Sequence, residues 1–178
     1  GVDPLQTQKR IDEKIEKLQE TKEDVVSDIP EWWLNAPMDT EDIFYFVGSG
    51  ESKQLQMSLD IAILEAKEEL ASAINSYLSS QTKKFVTQSG IEDDMVLTTS
   101  LEEATKAVIL EAQTGGYRVA KKDVQAKDNK YMSYVLLEYI AGHANKLLYN
   151  QIKKDAETEA KIRQTEAFKE LEEAIANS

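Results

Sequence analysis

Residues 28–78 read DIPEWWLNAPMDTEDIFYFVGSGESKQLQMSLDIAILEAKEELASAINSYL, and the order of signals in this stretch decides the fold class. Pro30 and Pro37 bracket a Trp32-Trp33 pair, the composition of an irregular, ordered loop over residues 30–42. Ile43 to Val47 is a run of aromatic and β-branched residues, which predicts a strand. Gly48-Ser49-Gly50 is expected to break it as a tight turn, with the positive φ that glycine allows, and Ser52 is a candidate N-cap. Leu59, Ile63, Ala66, Leu70, Ala73, Ile74, Tyr77 and Leu78 then follow helical spacing over five turns. Ile63, Leu70 and Ile74 are the expected buried face of this helix, which the pattern places at 58–79.

Downstream, Lys84 to Gln88 is a candidate strand. Ser100 and Glu103 have capping-box spacing, and Leu101, Ala104, Val108 and Ala112 give the following helix its apolar face until Gly115-Gly116 stops it. Tyr117–Val124 and Tyr131–Ile140 flank the turn chemistry of Lys127-Asp128-Asn129, which predicts an antiparallel hairpin. Both faces of the second strand are largely apolar, so it should be central in its sheet. From Ala144 to Ala176 there is no glycine or proline, which predicts one long helix. At the other end, Asp3-Pro4 supplies an N-cap and a first-turn proline for a helix whose apolar stripe is only Ile11, Ile15 and Leu18. A stripe so thin needs a partner. The Ile162–Ile175 end of the last helix is the expected one, within one chain or between two.

The fold class expected is therefore α+β: a small, mainly antiparallel sheet packed with helices, plus an N-terminal helix and a long C-terminal helix. The segments are 1–27 for the N-terminal helical extension, 28–141 for the core domain and 142–178 for the C-terminal helix.

Composition narrows the function. Lys and Arg number 21 against 33 Asp and Glu, a net charge of -12, and basic residues adjoin only as pairs such as Lys83-Lys84 and Lys121-Lys122. Phosphate backbones and anionic lipid surfaces both require concentrated positive charge, so nucleic acid is not an expected partner. The absence of cysteine removes disulfides, thiolate metal sites and thiol catalysis. His143, the only histidine, lacks a triad arrangement and reads as a helix-start residue. Glu92-Asp93-Asp94 lacks the glycine and alternating oxygens of a calcium loop. Gly48-Ser49-Gly50 lacks the Gly-Lys-Ser/Thr end of a phosphate loop, and Glu51 beside it would repel phosphate. No enzyme, cofactor or metal site is expected.

Four short pieces carry a resemblance: Pro30-Glu31-Trp32-Trp33, Phe46-Val47-Gly48-Ser49-Gly50, Ala66 through Glu69-Leu70-Ala71, and Tyr134-Val135-Leu136. In this order over residues 28–140 the chain resembles the LPP-twenty family of bacterial envelope lipoproteins. The charged stretch before these pieces and the long helix after them depart from that family's pattern. The resemblance implies a non-enzymatic structural or interaction module of the cell envelope, on the periplasmic side of the outer membrane or at the cell surface. It would associate with itself or with other envelope proteins and meet the membrane only through a lipid anchor preceding Gly1. It brings no catalytic residues. The alternative is a periplasmic module that binds a small molecule in a pocket lined by Trp32, Tyr45 and Tyr134. Because neighbouring side chains in an extended segment point opposite ways, one of Trp32 and Trp33 should be buried and the other left for contact. Trp32, Trp33, Tyr45 and Tyr134 are thus the candidate contact residues.

Overall fold

The β-hairpin forms where its turn residues place it. In the computed structural model, β2 (Tyr117–Lys127) and β3 (Lys130–Ile140) are joined by Asp128 and Asn129, both at positive φ (51° and 61°). Two successive left-handed residues match the twist of a tight hairpin, and Asp and Asn tolerate them better than most side chains. The description covers residues 3–177 and, at 20–27, the main chain only. β1 (Ile43–Ser52) pairs antiparallel with the other side of β3, so the sheet order is β1-β3-β2 and β3 is central, as its two apolar faces predict. The α+β class is as read from the sequence: seven helices stand beside one three-stranded antiparallel sheet among the described residues.

Gly48 and Gly50 are not a turn. β1 runs straight through them, and neither has positive φ. Their function is to let a helix touch the sheet. α3 (Leu55–Ser89) lies along β1, and a Cβ at Gly48 would sit 2.0 Å from the carbonyl oxygen of Ala62; one at Gly50 would sit 2.2 Å from that of Ser58. The helix answers with small residues four apart, Ser58, Ala62 and Ala66, before the stripe widens to Leu70, Ile74, Leu78 and Phe85. Leu70 and Ile74 are fully buried as expected, whereas Ile63 is half-buried, because large apolar side chains cannot enter the close-contact zone. Within that zone Ser58 donates to the carbonyl of Leu55 and lies 2.6 Å from the Ser133 hydroxyl on β3. Since Ser58 has one proton and gives it to Leu55, Ser133 donates to Ser58, and both buried hydroxyls are satisfied.

At 35 residues α3 is longer than either the 58–79 span or the strand it rests on, and at ~1.5 Å per residue it reaches about 52 Å. The candidate strand at Lys84–Gln88 is its last turns: Phe85 is buried in the core, and helix continuation satisfies main-chain groups that a lone strand would leave open. α4 (Met95–Thr114) packs beside α3. It begins six residues earlier than the Ser100–Glu103 spacing suggests, because Asp94 accepts from the Leu97 amide and caps it first.

The long C-terminal helix is three helices: α5 (Ala141–Lys153), α6 (Ala156–Ile162) and α7 (Glu166–Ala176). Asp155 caps α6 by accepting from the Thr158 amide, and Thr165 caps α7 by accepting from the Phe168 amide. The two bends fold Ile162, Phe168 and Leu171 back into the core, where a straight helix would have carried them into water. Phe168 meets Phe85 edge-on at 6.2 Å and stacks on Tyr149 at 5.8 Å. Residues beyond 141 thus complete the same hydrophobic core as residues 28–141. The Gln88 side chain accepts from the Ala167 amide, and Lys161 reaches the Asp94 carboxylate at 2.6 Å, tying α6 and α7 to α3 and α4.

The first helix, α1 (Pro4–Asp28), forms where its cap predicts: the Leu5 amide donates to Asp3 Oδ1. Its expected partner within the chain is taken. Every residue from Asp3 to Gln19 is exposed, while Ile162, Phe168 and Leu171 are already buried elsewhere.

The Asp94–Lys161 contact sets an acid limit. The Lys161 ammonium and the Leu97 amide hold the Asp94 carboxyl below the ordinary value of 3.8. The unfolded chain therefore binds the extra proton first. The stabilisation is present above about pH 4 and is lost as pH falls through the lower folded value. Asp94→Asn should be less stable than the parent at neutral pH and should lose less stability between pH 4 and pH 2. Urea midpoints measured across that range check this; parallel curves for the two proteins would contradict it.

Candidate functional site

The sheet has two faces with different covers. On one, Phe44, Phe46, Gly48 and Gly50 of β1 alternate in register with Tyr139, Leu137, Val135 and Ser133 of β3, under α3. On the other lie Tyr45, Val47, Ser49 and Glu51 opposite Glu138, Leu136, Tyr134 and Met132. Tyr134 and Leu136 are buried although no long helix covers them.

Part of the cover is the tryptophan segment. Residues 30–42 contain one short helix, α2 (Glu31–Leu34), and are otherwise irregular. In a helical turn successive side chains diverge by about 100° rather than 180°. The expectation that one tryptophan is buried and the other at least partly exposed is met only in its second part: Trp32 and Trp33 are both half-buried. Trp33 carries the specific contacts. Its indole N–H donates to the Gly48 carbonyl at 3.0 Å, and its ring meets Tyr134 edge-on at 5.7 Å. Trp32 makes no ring or hydrogen-bond contact among the described residues. The loop after α2 seals the edge of β1, where Tyr45 N–H donates to Asp39 Oδ1 and the Thr40 amide donates to the Ile43 carbonyl. These main-chain groups face away from β3 and would otherwise offer an edge for another strand.

Of the four sequence-selected residues, the fold brings Trp33 and Tyr134 together and leaves Tyr45 further along the sheet, opposite Glu138. Tyr134 lines a hollow of about 190 Å³ with Asp28, Glu51, Gln125, Lys127, Asp128, Lys130 and Met132; Trp32 and Tyr45 are not part of its wall. Burial, with the negative charges of Asp123 and Asp28, pushes the Tyr134 phenol up, so it stays protonated. Ion pairs close both ends of this face: Glu51 with Lys130 at 2.9 Å and Arg118 with Glu138 at 2.6 Å. The arrangement is a latch on the sheet, beside a small, mostly charged hollow to which Tyr134 contributes the one aromatic ring.

Sequence reading missed the exposed surface of α1 as a surface. Ile11, Ile15 and Leu18 are 46%, 48% and 63% exposed, and Leu5 stands in the open before them. The signal was the thinness of the stripe, read as a demand for the Ile162–Ile175 end of the last helix, within one chain or between two; within the chain that end is already buried elsewhere. Among the described residues no group of three or more His, Asp or Glu is arranged to hold a metal ion, and no helix is long and apolar enough to cross a membrane. No family model matches the chain, and neither a curated protein nor a solved structure is found to be similar to it.

The latch has a direct test. Trp33→Phe keeps a ring against Tyr134 and loses the bond to Gly48, so it should cost about 1 kcal/mol, the net value of one such bond. Trp32→Phe should change the unfolding free energy by much less. Denaturant unfolding of both variants reads the difference; equal losses would mean that the Gly48 bond contributes nothing.

Proposed function

We propose that this chain is a non-enzymatic structural or protein-interaction module of the bacterial cell envelope, and that it assembles by pairing α1 with α1 of a second copy. The observation that carries the reading is the helical arm, exposed at every residue from Asp3 to Gln19, with Ile11, Ile15 and Leu18 at four- and three-residue spacing and none of them buried. A single amphipathic helix of this length is marginal in water by itself and is stabilised by a packed apolar face. The partner chemistry follows from charge. Between Asp3 and Gln19 the arm has four basic residues (Lys9, Arg10, Lys14, Lys17) and four acidic ones (Asp3, Asp12, Glu13, Glu16), against -12 for the whole chain. Over Asp3–Gln19 the charges balance, so this part of the arm approaches its own copy without the repulsion that two acidic bodies exert.

The envelope assignment rests on the LPP-twenty resemblance, and the fold supports treating its four pieces as one unit. Trp33 bonds to Gly48 and packs on Tyr134; Gly48 receives Ala62 and Ala66 of α3; Leu70 continues the same buried stripe. Sedimentation of the purified chain should give a dimer or larger species at micromolar concentration. The Ile11→Asp, Ile15→Asp double variant should be a folded monomer with an unchanged melting temperature. A monomeric parent, or a variant that still associates, would contradict α1 pairing. Recovery of the product of the complete gene in the cytosolic rather than the envelope fraction would contradict the location.

A further inference from the structure

A second cavity lies at the end of the sheet away from the hairpin turn, and nothing in the preceding reading uses it. It has a volume of about 430 Å³ and is lined by Glu111 of α4, Gly115, Gly116, Tyr139 of β3, and His143, Lys146 and Leu147 of α5. Glycine keeps its wall open: Gly116 has φ +84, and a Cβ there would stand 3.2 Å from Cε2 of Tyr139 and 3.5 Å from Nδ1 of His143. His143 sits in the first turn of α5, whose N-cap Ile140 supplies no side-chain hydrogen bond, and its ring packs edge-on against Tyr139 at 6.0 Å.

Tyr139 is the anomaly. It is 1% exposed, and its hydroxyl finds no hydrogen-bond partner among the described residues. Folded proteins rarely leave a buried polar atom unpaired, because removing it from water without a substitute is unfavourable. Burial, with the negative charge of Glu111, pushes the phenol up to about 12, so at neutral pH it is an O–H donor in want of an acceptor. Around it the charges are mixed. Lys146 and His143 stand on α5, Glu111 on α4, and the ring of Tyr139 and Leu147 supply apolar wall.

We propose that this cavity binds a small zwitterion, an α-amino acid or the free end of a short peptide. The ligand's carboxylate accepts the Tyr139 O–H and faces Lys146, its ammonium faces Glu111, and its side chain lies on Leu147 and the Tyr139 ring. A simple anion would satisfy Tyr139 and Lys146 but meet Glu111 as a like charge; a simple cation would meet Lys146. Only a molecule carrying both charges is matched at both ends, which is how charged groups select among ligands of similar size. In the chain alone the hydroxyl is screened from solvent, so the carboxylate seats with a rotamer change among the exposed rim residues Glu111, His143 and Lys146, a fast motion. This site is independent of the α1 pairing.

The test is a two-dimensional amide NMR titration of the ¹⁵N-labelled full chain with L-leucine, with acetate and ethylamine as single-charge controls. L-leucine at millimolar concentration should give saturable shifts at Gly115, Gly116, Tyr139 and His143, and should bind about tenfold tighter than either control. Tyr139→Phe, which removes the orphan hydroxyl and keeps the ring, should weaken binding about tenfold while the melting temperature of the free chain stays level or rises. Glu111→Gln, at an exposed position, should erase the preference for leucine over acetate. Absence of saturable shifts at these amides would overturn the proposal. So would equal affinity for acetate in the parent chain, or a Tyr139→Phe variant that binds leucine as the parent does.

Discussion

The close approach of α3 to β1 is the constraint on which the rest of the structure depends. Gly48 and Gly50 remove two side chains from the strand, and Ser58, Ala62 and Ala66 remove the bulk from the facing helix. Main chain then meets main chain at a distance that any Cβ would forbid. This fixes the axial position of α3 on the sheet, because only one register sets the small residues over the glycines. It also brings Ser58 within hydrogen-bonding distance of Ser133 on the central strand, so the polar pair checks the same register. With its start pinned, the far half of α3 projects past the sheet and presents Phe85 to Phe168, which gives the last three helices their seat.

How much of this could be read from the sequence follows from which residues carry each decision. The central strand, the hairpin and the first helix rest on local signals: Tyr131–Ile140 with two apolar faces, Asp128-Asn129 at the turn, Asp3-Pro4 at the cap. These are decided within a few residues and came out as read. The glycine strand was not legible, because Gly48-Ser49-Gly50 has turn composition, and its real reason lies ten or more residues away on another element. The same holds for Ile63, which has the hydrophobicity of a core residue and the bulk that the contact zone excludes. At the C-terminal end the caps Asp155 and Thr165 were present in the sequence, but nothing local made them stronger than the helix formers around them. Burial of Ile162, Phe168 and Leu171 tipped that balance, and burial is a property of the whole fold. In the candidate site, Trp33 and Tyr134 were picked out with Trp32 and Tyr45 as contact residues, whereas the structure packs Trp33 and Tyr134 against each other. Their division of labour from Trp32 was not legible, since it depends on residues 31–34 being helical rather than extended.

The fold assigns its surfaces different tasks. One face of the sheet is consumed by α3, and the other is latched by Trp33 with an ion pair at each end. Single apolar side chains such as Met38, Met95 and Leu110 are exposed elsewhere, but on α1 Ile11, Ile15 and Leu18 follow one another at four- and three-residue spacing as an exposed stripe. The cavity beside Tyr139 is lined by residues of α4, β3 and α5 and the Gly115-Gly116 link, none of them on α1, so the two proposals can be tested separately.

The central claim is that α3 is held on β1 by glycine-enabled contact, and one pair of substitutions tests it. Gly48→Ala places a Cβ where the Ala62 carbonyl lies, whereas Gly115→Ala adds a Cβ with nothing within 4 Å and no positive φ to strain. Measured by denaturant unfolding under identical conditions, Gly48→Ala should lose ~3 kcal/mol or more, at or beyond the upper end for overpacking, because the clash is with main chain. Gly115→Ala should be neutral or slightly stabilising through the reduced freedom of the unfolded chain. Equal stability of the two variants would contradict the account, since it would mean that α3 does not rest on β1 at Gly48.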